Sequence, residues 1–223
     1  GDGVDGKVTV MVLRVMAPPS ESDKEKLIAF ADEWQVNWWL QAKGPETAVP
    51  FYPAAQALHY LLPEFGVTMP FKPTDFTQVN HQINRVLVER ALRLLDVQPE
   101  DRVADLFCGL GNFTLPLATQ AREVVGIEGS TSLTERALEN ARVNGLEGKT
   151  TFFTRNLFEL SLEDLRKLGK FDRMLIDPPR DGAMEVCQAL AGLLAIDPDL
   201  RPRRIVYVSC NPATLARDAG LLV

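Results

Sequence analysis

From Arg102 onward the chain alternates short apolar runs with stretches of helical spacing, and that rhythm restricts the fold more than any other feature. Arg102 to Phe107, Glu123 to Ile127, Thr150 to Thr154, Phe171 to Ile176 and Arg204 to Ser209 read as strands. Phe113 to Thr119, Ser130 to Asn144, Leu162 to Leu168 and Gly182 to Leu194 read as helices between them. Pro116 is tolerable only in the first turn of its helix, and Gly145 marks a stop. A helix between successive strands lets the chain cross over and pair in parallel, so this region is expected to be an α/β, doubly wound, Rossmann-like sheet.

The first seventy or so residues follow a different pattern. Val8 to Val15 and Val36 to Leu40 read as strands, separated by a helix that Ser22 caps and that carries Leu27, Ile28, Phe30 and Trp34. A turn-rich stretch follows, holding Pro45, Pro50, Pro53, Pro63, Pro70 and Pro73. A helix-like segment from Asn80 to Leu95 places Ile83, Val86, Leu87, Ala91 and Leu94 on one stripe. Two regions are therefore expected: a small α+β unit over residues 1–73 and the doubly wound sheet over 74–223.

In open α/β sheets ligands bind beyond the carboxyl ends of the strands, so the residues after each strand carry the functional argument. After the first comes Asp105-Leu106-Phe107-Cys108-Gly109-Leu110-Gly111-Asn112, in which two glycines let the backbone turn close to a ligand. A tight strand-to-helix turn explains the glycines equally well. Glu128 follows the second strand, nineteen residues beyond Gly109, where a carboxylate can accept hydrogen bonds from both hydroxyls of a ribose. Together the two features point to a nucleoside-bearing cofactor. A dinucleotide needs a third glycine where the helix meets its pyrophosphate, and here that place falls near Thr114. The loop suits a ligand without phosphates, of which S-adenosylmethionine is the common one. Asn156, after the third strand, can bond an adenine, and Asp177-Pro178-Pro179-Arg180 forms a rigid loop after the fourth.

The fifth strand ends in Ser209-Cys210-Asn211-Pro212. A strand-end cysteine is more often core than catalytic. Cys210, however, falls at the ligand end of the sheet, before an Asn-Pro turn that lifts it out of the strand. A thiolate there can serve as a covalent nucleophile. Cys108 reads as a space-filler in the cofactor loop and Cys187 as core within a helix. Three scattered cysteines argue against a disulfide framework or a cysteine-held metal, and a reducing cytoplasm is the simplest setting. No apolar run is long enough to span a bilayer. The net charge of -6 gives no support to nucleic-acid binding, and basic residues are dense only locally, as at Arg201, Arg203 and Arg204.

Four runs carry a family resemblance: Phe76-Thr77-Gln78-Val79-Asn80, the Asp105–Thr114 loop, Asp177–Arg180, and Ser209-Cys210-Asn211-Pro212-Ala213-Thr214-Leu215-Ala216-Arg217-Asp218. In this order they resemble the RNA uridine-5-methyltransferase family, and most of all its bacterial 23S rRNA branch. The resemblance implies a cofactor, S-adenosylmethionine, contacted by Gln78, Phe107, Asn112, Glu128, Asn156 and Asp177. It implies Cys210 as the nucleophile, and places Arg180 and Asn211 near the target base. It implies an RNA partner, 23S rRNA, and no membrane. Members of this branch carry an RNA-binding barrel and an iron–sulfur cluster upstream, and a proton-abstracting glutamate downstream. None of these falls within the 223 residues, so the chain is expected to be an internal fragment with a truncated sheet, catalytically incomplete by itself.

Rival readings stay open at this stage. An amino-group methyltransferase acting on bases also uses a Pro-Pro loop, but usually with an aromatic residue where Arg180 stands. A nicotinamide dehydrogenase lacks its third glycine here. A non-catalytic module that binds S-adenosylmethionine would keep the loops and not need Cys210.

Overall fold

The computed structural model describes residues 2–3, 6–54, 58–75 and 80–222. The chain divides into two compact units, Gly1–Asn84 and Arg85–Val223.

The first unit opens with a minimal antiparallel ladder of β1 (Asp2–Gly3) and β2 (Gly6–Lys7). It continues with β3 (Thr9–Arg14), α1 (Glu21–Trp34), β4 (Val36–Gln41) and β5 (Ala48–Tyr52). β4 lies centrally, parallel to β3 and antiparallel to β5. α1 packs on this sheet through Ala31 and Leu27, and the Trp38 indole N–H donates to the Leu27 carbonyl at 3.0 Å. The helix is capped by Ser20, not Ser22: the Ser20 hydroxyl accepts the Asp23 N–H at 3.2 Å while the Asp23 carboxylate accepts the Ser20 N–H at 3.1 Å. Ser22 has the same spacing to Glu25, so spacing alone does not choose between them; the helix starts at Glu21, which makes Ser20 the capping residue.

The proline-rich stretch, expected to be turns, holds β5 and an antiparallel pair, β6 (Leu58–Leu62) and β7 (Val67–Phe71). Pro50 sits on the edge strand β5 and Pro70 on one strand of the two-stranded pair, positions where a missing N–H need not break a ladder.

α2 (His81–Leu95) forms where the periodicity placed it, but on a different face. Val88, Ala91, Leu92 and Leu95 are buried, whereas Ile83, Val86 and Leu94 are exposed. The segment has two apolar stripes, and helical spacing alone does not say which one is buried.

The second unit is the expected doubly wound sheet. Its strands are β8 (Arg102–Leu106), β9 (Glu123–Glu128), β10 (Thr150–Thr154), β11 (Arg173–Ile176) and β12 (Arg204–Tyr207). Their order is β10-β9-β8-β11-β12, and every pairing is parallel. The helices are α3 (Thr114–Gln120), α4 (Thr131–Val143), α5 (Leu162–Leu168), α6 (Met184–Ile196) and α7 (Pro212–Ala219). Val103, Ala104, Asp105 and Leu106 are all fully buried, as expected of a central strand covered on both faces. One core layer joins Leu106, Ile127, Met174 and Ile176 to Leu157, Leu165, Val186 and Leu190. α7 was not expected: Asn211-Pro212 reads as a turn, yet proline at the first helical position starts a helix instead of ending one.

The sheet reverses its winding between β8 and β11, so the loops after these two strands diverge around a crevice. The Asp177 N–H still reaches the Leu106 carbonyl at 3.2 Å, which ties the two loops together at their base.

Candidate active site

The loop after β8 starts under strain. Phe107 has φ of 65° and Gly109 and Gly111 have φ of 54° and 91°. A positive φ costs an L-residue about 1–2 kcal/mol. Phe107 is held there by its N–H, which donates to the Ile127 carbonyl at 2.8 Å, and the Cys108 N–H shares that acceptor at 3.1 Å. The strained turn aims the following amides along the strand ends.

Glu128 closes this turn from the neighbouring strand. One carboxylate oxygen accepts the Gly109 N–H at 3.1 Å and the other the Ser130 N–H at 3.1 Å. Each oxygen keeps a lone pair for a ligand hydroxyl. Spacing alone did not reveal that Glu128 also ties two loops together.

Beneath the loop lies Asp105, fully buried. Its Oδ2 accepts the Thr114 hydroxyl at 2.5 Å, and its Oδ1 has no hydrogen-bond partner. Thr114 thus stands where a dinucleotide site would need glycine, and it uses its hydroxyl to hold an acid. Burial pushes the Asp105 carboxyl up to about 7; the Thr114 bond opposes the rise, and the charges of Asp177 and Glu128 add to it. Burial likewise pushes Asp177 up to about 6. Three carboxyl groups therefore gather at one crevice, and the two others add to the cost of ionising Asp105. A positively charged ligand such as a sulfonium would offset these charges, and the Asp105 Oδ1 lies buried among them without a hydrogen-bond partner.

This crowding has a consequence for stability. Asp105 and Asp177 hold their protons more tightly when folded than at the ordinary value of 3.8. Their contribution is full below about pH 4 and is lost as pH rises through about 6 and 7, each group adding a slope of up to about 1.4 kcal/mol per pH unit. Asp105→Asn is expected to flatten the decline of melting temperature between about pH 4 and about pH 7, as measured by thermal melts. An unchanged slope would show that Asp105 titrates normally.

The remaining expected residues fall around the same strand ends. Asn112 is half-buried in the turn before α3. Asn156 is exposed and caps a short 3-10 turn, its Oδ1 accepting the Phe158 N–H at 3.1 Å. That bond leaves the amide N–H₂ as the group to meet an adenine acceptor. Phe158, which the sequence reading did not single out, lies 5.6 Å from Phe107 between ring centroids and is 44% exposed. Gln78 lies outside the described residues.

Cys210 is exposed, whereas Cys108 and Cys187 are buried. Cys108 fills space beside Gly126, where an added Cβ would sit 2.9 Å from the Cys108 sulfur. Burial pushes Cys108 well above its ordinary value and Cys187 up to about 12, so both stay protonated at neutral pH. Val208, two residues before Cys210, is anchored by its N–H to the Ile176 carbonyl at 2.8 Å. Asn211 caps α7 by accepting the Ala213 N–H at 3.1 Å, and its amide donates to the Arg180 carbonyl at 3.3 Å. Asn211 is thus engaged in holding two loops together. Arg180 is exposed at the end of the Asp177 loop.

The chain is similar to proteins of known kind. A family model described as tRNA (uracil-5-)-methyltransferase matches residues 66–222. The 23S rRNA (uracil(1939)-C(5))-methyltransferase RlmD of Cupriavidus metallidurans is 66% identical over 99% of this chain and 47% of its own length. Its counterpart from Ralstonia pickettii is 65% identical over 97% of this chain and 49% of its own. The chain spans about half the length of the curated relatives it matches. Among solved structures, the Pyrococcus abyssi tRNA (uracil-54, C5)-methyltransferase, in complex with S-adenosyl-L-homocysteine, aligns with a TM-score of 0.64 and 27% identity over 84% of this chain and 44% of that one. A precorrin-6y C5,15-methyltransferase from Geobacter metallireducens shares the fold, with a TM-score of 0.53 and 15% identity over 71% of this chain and 74% of that one.

Proposed function

The chain belongs to the tRNA (uracil-5-)-methyltransferase family, and from that membership we propose that it serves to transfer a methyl group from S-adenosylmethionine to carbon 5 of a uridine in 23S rRNA. The observation that carries the reading is the pairing of a carboxylate-lined crevice with one exposed cysteine two loops away. The substrate follows the relatives matched over nearly the whole chain, which are named for 23S rRNA. Such an enzyme works in the cytoplasm. Among the described residues no helix is long and apolar enough to cross a membrane. We take residues 74–223 as the methyltransferase domain, a boundary that lies a little before the division of the compact units between Asn84 and Arg85.

When bound, S-adenosylmethionine supplies an electrophilic methyl group. Glu128 would accept the ribose hydroxyls, the Asn156 amide would donate to the adenine, Phe107 and Asn112 would border the cofactor from the loop, and Asp177 would lie toward its positive end. Carbon 5 of uracil is too weak a nucleophile by itself. The Cys210 thiolate adds to carbon 6, and the electron pair of the 5,6 double bond moves into the carbonyl system, leaving an enolate with negative charge at carbon 5. Once carbon 5 carries the methyl group, a base takes its proton. The released pair re-forms the double bond and expels the Cys210 thiolate. This need for a nucleophile separates the reading from amino-group methylation, in which the exocyclic nitrogen attacks unaided.

The test is methyl transfer from labelled S-adenosylmethionine to uridine-containing 23S rRNA by the full-length protein, with the product nucleoside identified. 5-Methyluridine is expected; label on an adenine or guanine amino group overturns the proposal. For the cofactor, Glu128→Ala is expected to weaken S-adenosylhomocysteine binding by about 10- to 100-fold in calorimetry, the loss of charge-assisted bonds to two hydroxyls. An unchanged affinity would remove Glu128 from the site.

A further inference from the structure

α7 begins two residues after Cys210 and is fastened at both ends to the loop that begins with Asp177. At its start, the Asn211 amide and the Thr214 hydroxyl donate to the Arg180 carbonyl at 3.3 and 3.4 Å. At its end stands Asp218, fully buried. The Asp218 Oδ2 accepts the Ala183 N–H at 2.6 Å and the Tyr207 hydroxyl at 2.5 Å, while Oδ1 accepts the Arg217 Nε–H at 2.7 Å. Arg217 in turn donates to the Asp181 carbonyl at 2.9 Å. One carboxylate thus joins three pieces: the strand β12 that leads to Cys210, the helix that follows it, and the loop that carries Asp177 and Arg180.

The loop side is shaped to match. Gly182 has φ of +84°, and a Cβ there would lie 2.5 Å from the Asp218 carboxylate, 2.6 Å from the Arg217 guanidinium and 3.0 Å from Thr214. Only glycine lets loop and helix approach this closely.

We propose that Asp218 is a positioning residue that sets the Cys210 sulfur at its working distance from the methyl-donor end of the crevice. The inference rests on the reading of Cys210 as nucleophile. Nucleophile and methyl donor must meet one uracil ring from separate loops, and the Asp218 bonds are the buried part of what joins those loops, beside the more exposed bonds of Asn211, Thr214 and Arg217. Displacing a reacting group by about 1 Å costs on the order of 10²-fold in rate. The same displacement leaves the Glu128 end of the crevice, formed by other strands, untouched.

The test uses the full-length protein with 5-fluorouridine RNA and S-adenosylmethionine. The single-turnover rate of the covalent RNA adduct is measured beside calorimetric affinity for S-adenosylhomocysteine. Asp218→Asn and, independently, Gly182→Ala are each expected to slow the adduct by about 10²-fold while affinity stays within about threefold. A positioning role thus shows as a split between rate and binding. Rate and affinity falling together would mark a purely structural residue and overturn the proposal, as would an adduct rate equal to the unaltered protein's. If Asp218→Asn does not fold, Gly182→Ala decides by the same criteria. Failure of the unaltered protein to form a Cys210-dependent adduct sinks the methyltransferase reading and this inference with it; a normal adduct in the unaltered protein and in both variants sinks this inference alone.

Discussion

Cys210→Ala is expected to lower methyl transfer by about 10⁴-fold or more in the full-length protein, the scale on which enzymes lose rate with their nucleophile. Affinity for S-adenosylhomocysteine should stay unchanged, because Cys210 follows β12 while the ribose and adenine ends of the crevice are built on β8, β9 and β10. Cys108→Ala and Cys187→Ala provide the contrast. Both side chains are buried and held as thiols, so their loss should cost about 1 kcal/mol of stability and leave turnover within a few-fold. A methyltransferase that used a direct attack from an amino nitrogen would tolerate all three changes alike. Rate assays on the three variants therefore separate covalent from direct transfer.

The largest effect on stability should come from the opposite end of the sheet. Arg173 on β11 is buried and donates from Nε to Asp101 at 2.8 Å and from a terminal nitrogen to the Leu95 carbonyl at 2.7 Å. The same Asp101 oxygen accepts the Gln98 N–H at 2.8 Å, and Asp101 is fully buried. This pair joins the end of α2 to the first and fourth strands of the sheet. Asp101→Ala leaves a buried guanidinium with only the exposed Asp96 carboxylate, at 3.8 Å, as counter-charge, at a cost of about 3 kcal/mol. For a domain of this size that is a fall of roughly 6–12 °C in melting temperature. Replacing Asp101 and Arg173 together by apolar residues should recover much of the loss, since the penalty lies in the unpaired charge. A double variant no more stable than Asp101→Ala would show that the pair acts through the Leu95 and Gln98 bonds instead.

How far the sequence revealed this molecule depends on the kind of signal. The three inner strands β8, β9 and β11 were legible because they are buried on both faces and read as near-continuous apolar runs, while the edge strands β10 and β12, more exposed, were placed by the alternation with helices. Their number and order of appearance then placed Asp105, Glu128, Asn156, Asp177 and Cys210 at one edge of one sheet. The strands β5 to β7 were hidden because prolines at edge positions look like breaks. α7 was hidden for a related reason: the proline that starts it resembles a turn signal. The face of α2 depended on which of two apolar stripes is buried, a fact of tertiary packing. In the site, spacing identified Glu128 as a ligand-facing acid but not as a bridge between the Gly109 and Ser130 amides. The partnership of Asp218 with Tyr207, Ala183 and Gly182 joins residues up to 36 positions apart and has no local signature. Asp218 appeared only as the last letter of a motif, and its role becomes visible when the loops are folded against each other.

The central claim is that Cys210 bonds to carbon 6 of a uridine. Incubating the full-length protein with 5-fluorouridine RNA and S-adenosylmethionine, then digesting and mapping the denatured complex by mass spectrometry, tests it most directly. The fluorine cannot leave as a proton does, so the adduct should persist, with the RNA on the peptide that contains Cys210. RNA on the peptide of Cys108 or Cys187, or no RNA-linked peptide under conditions where unmodified RNA is methylated, would contradict it.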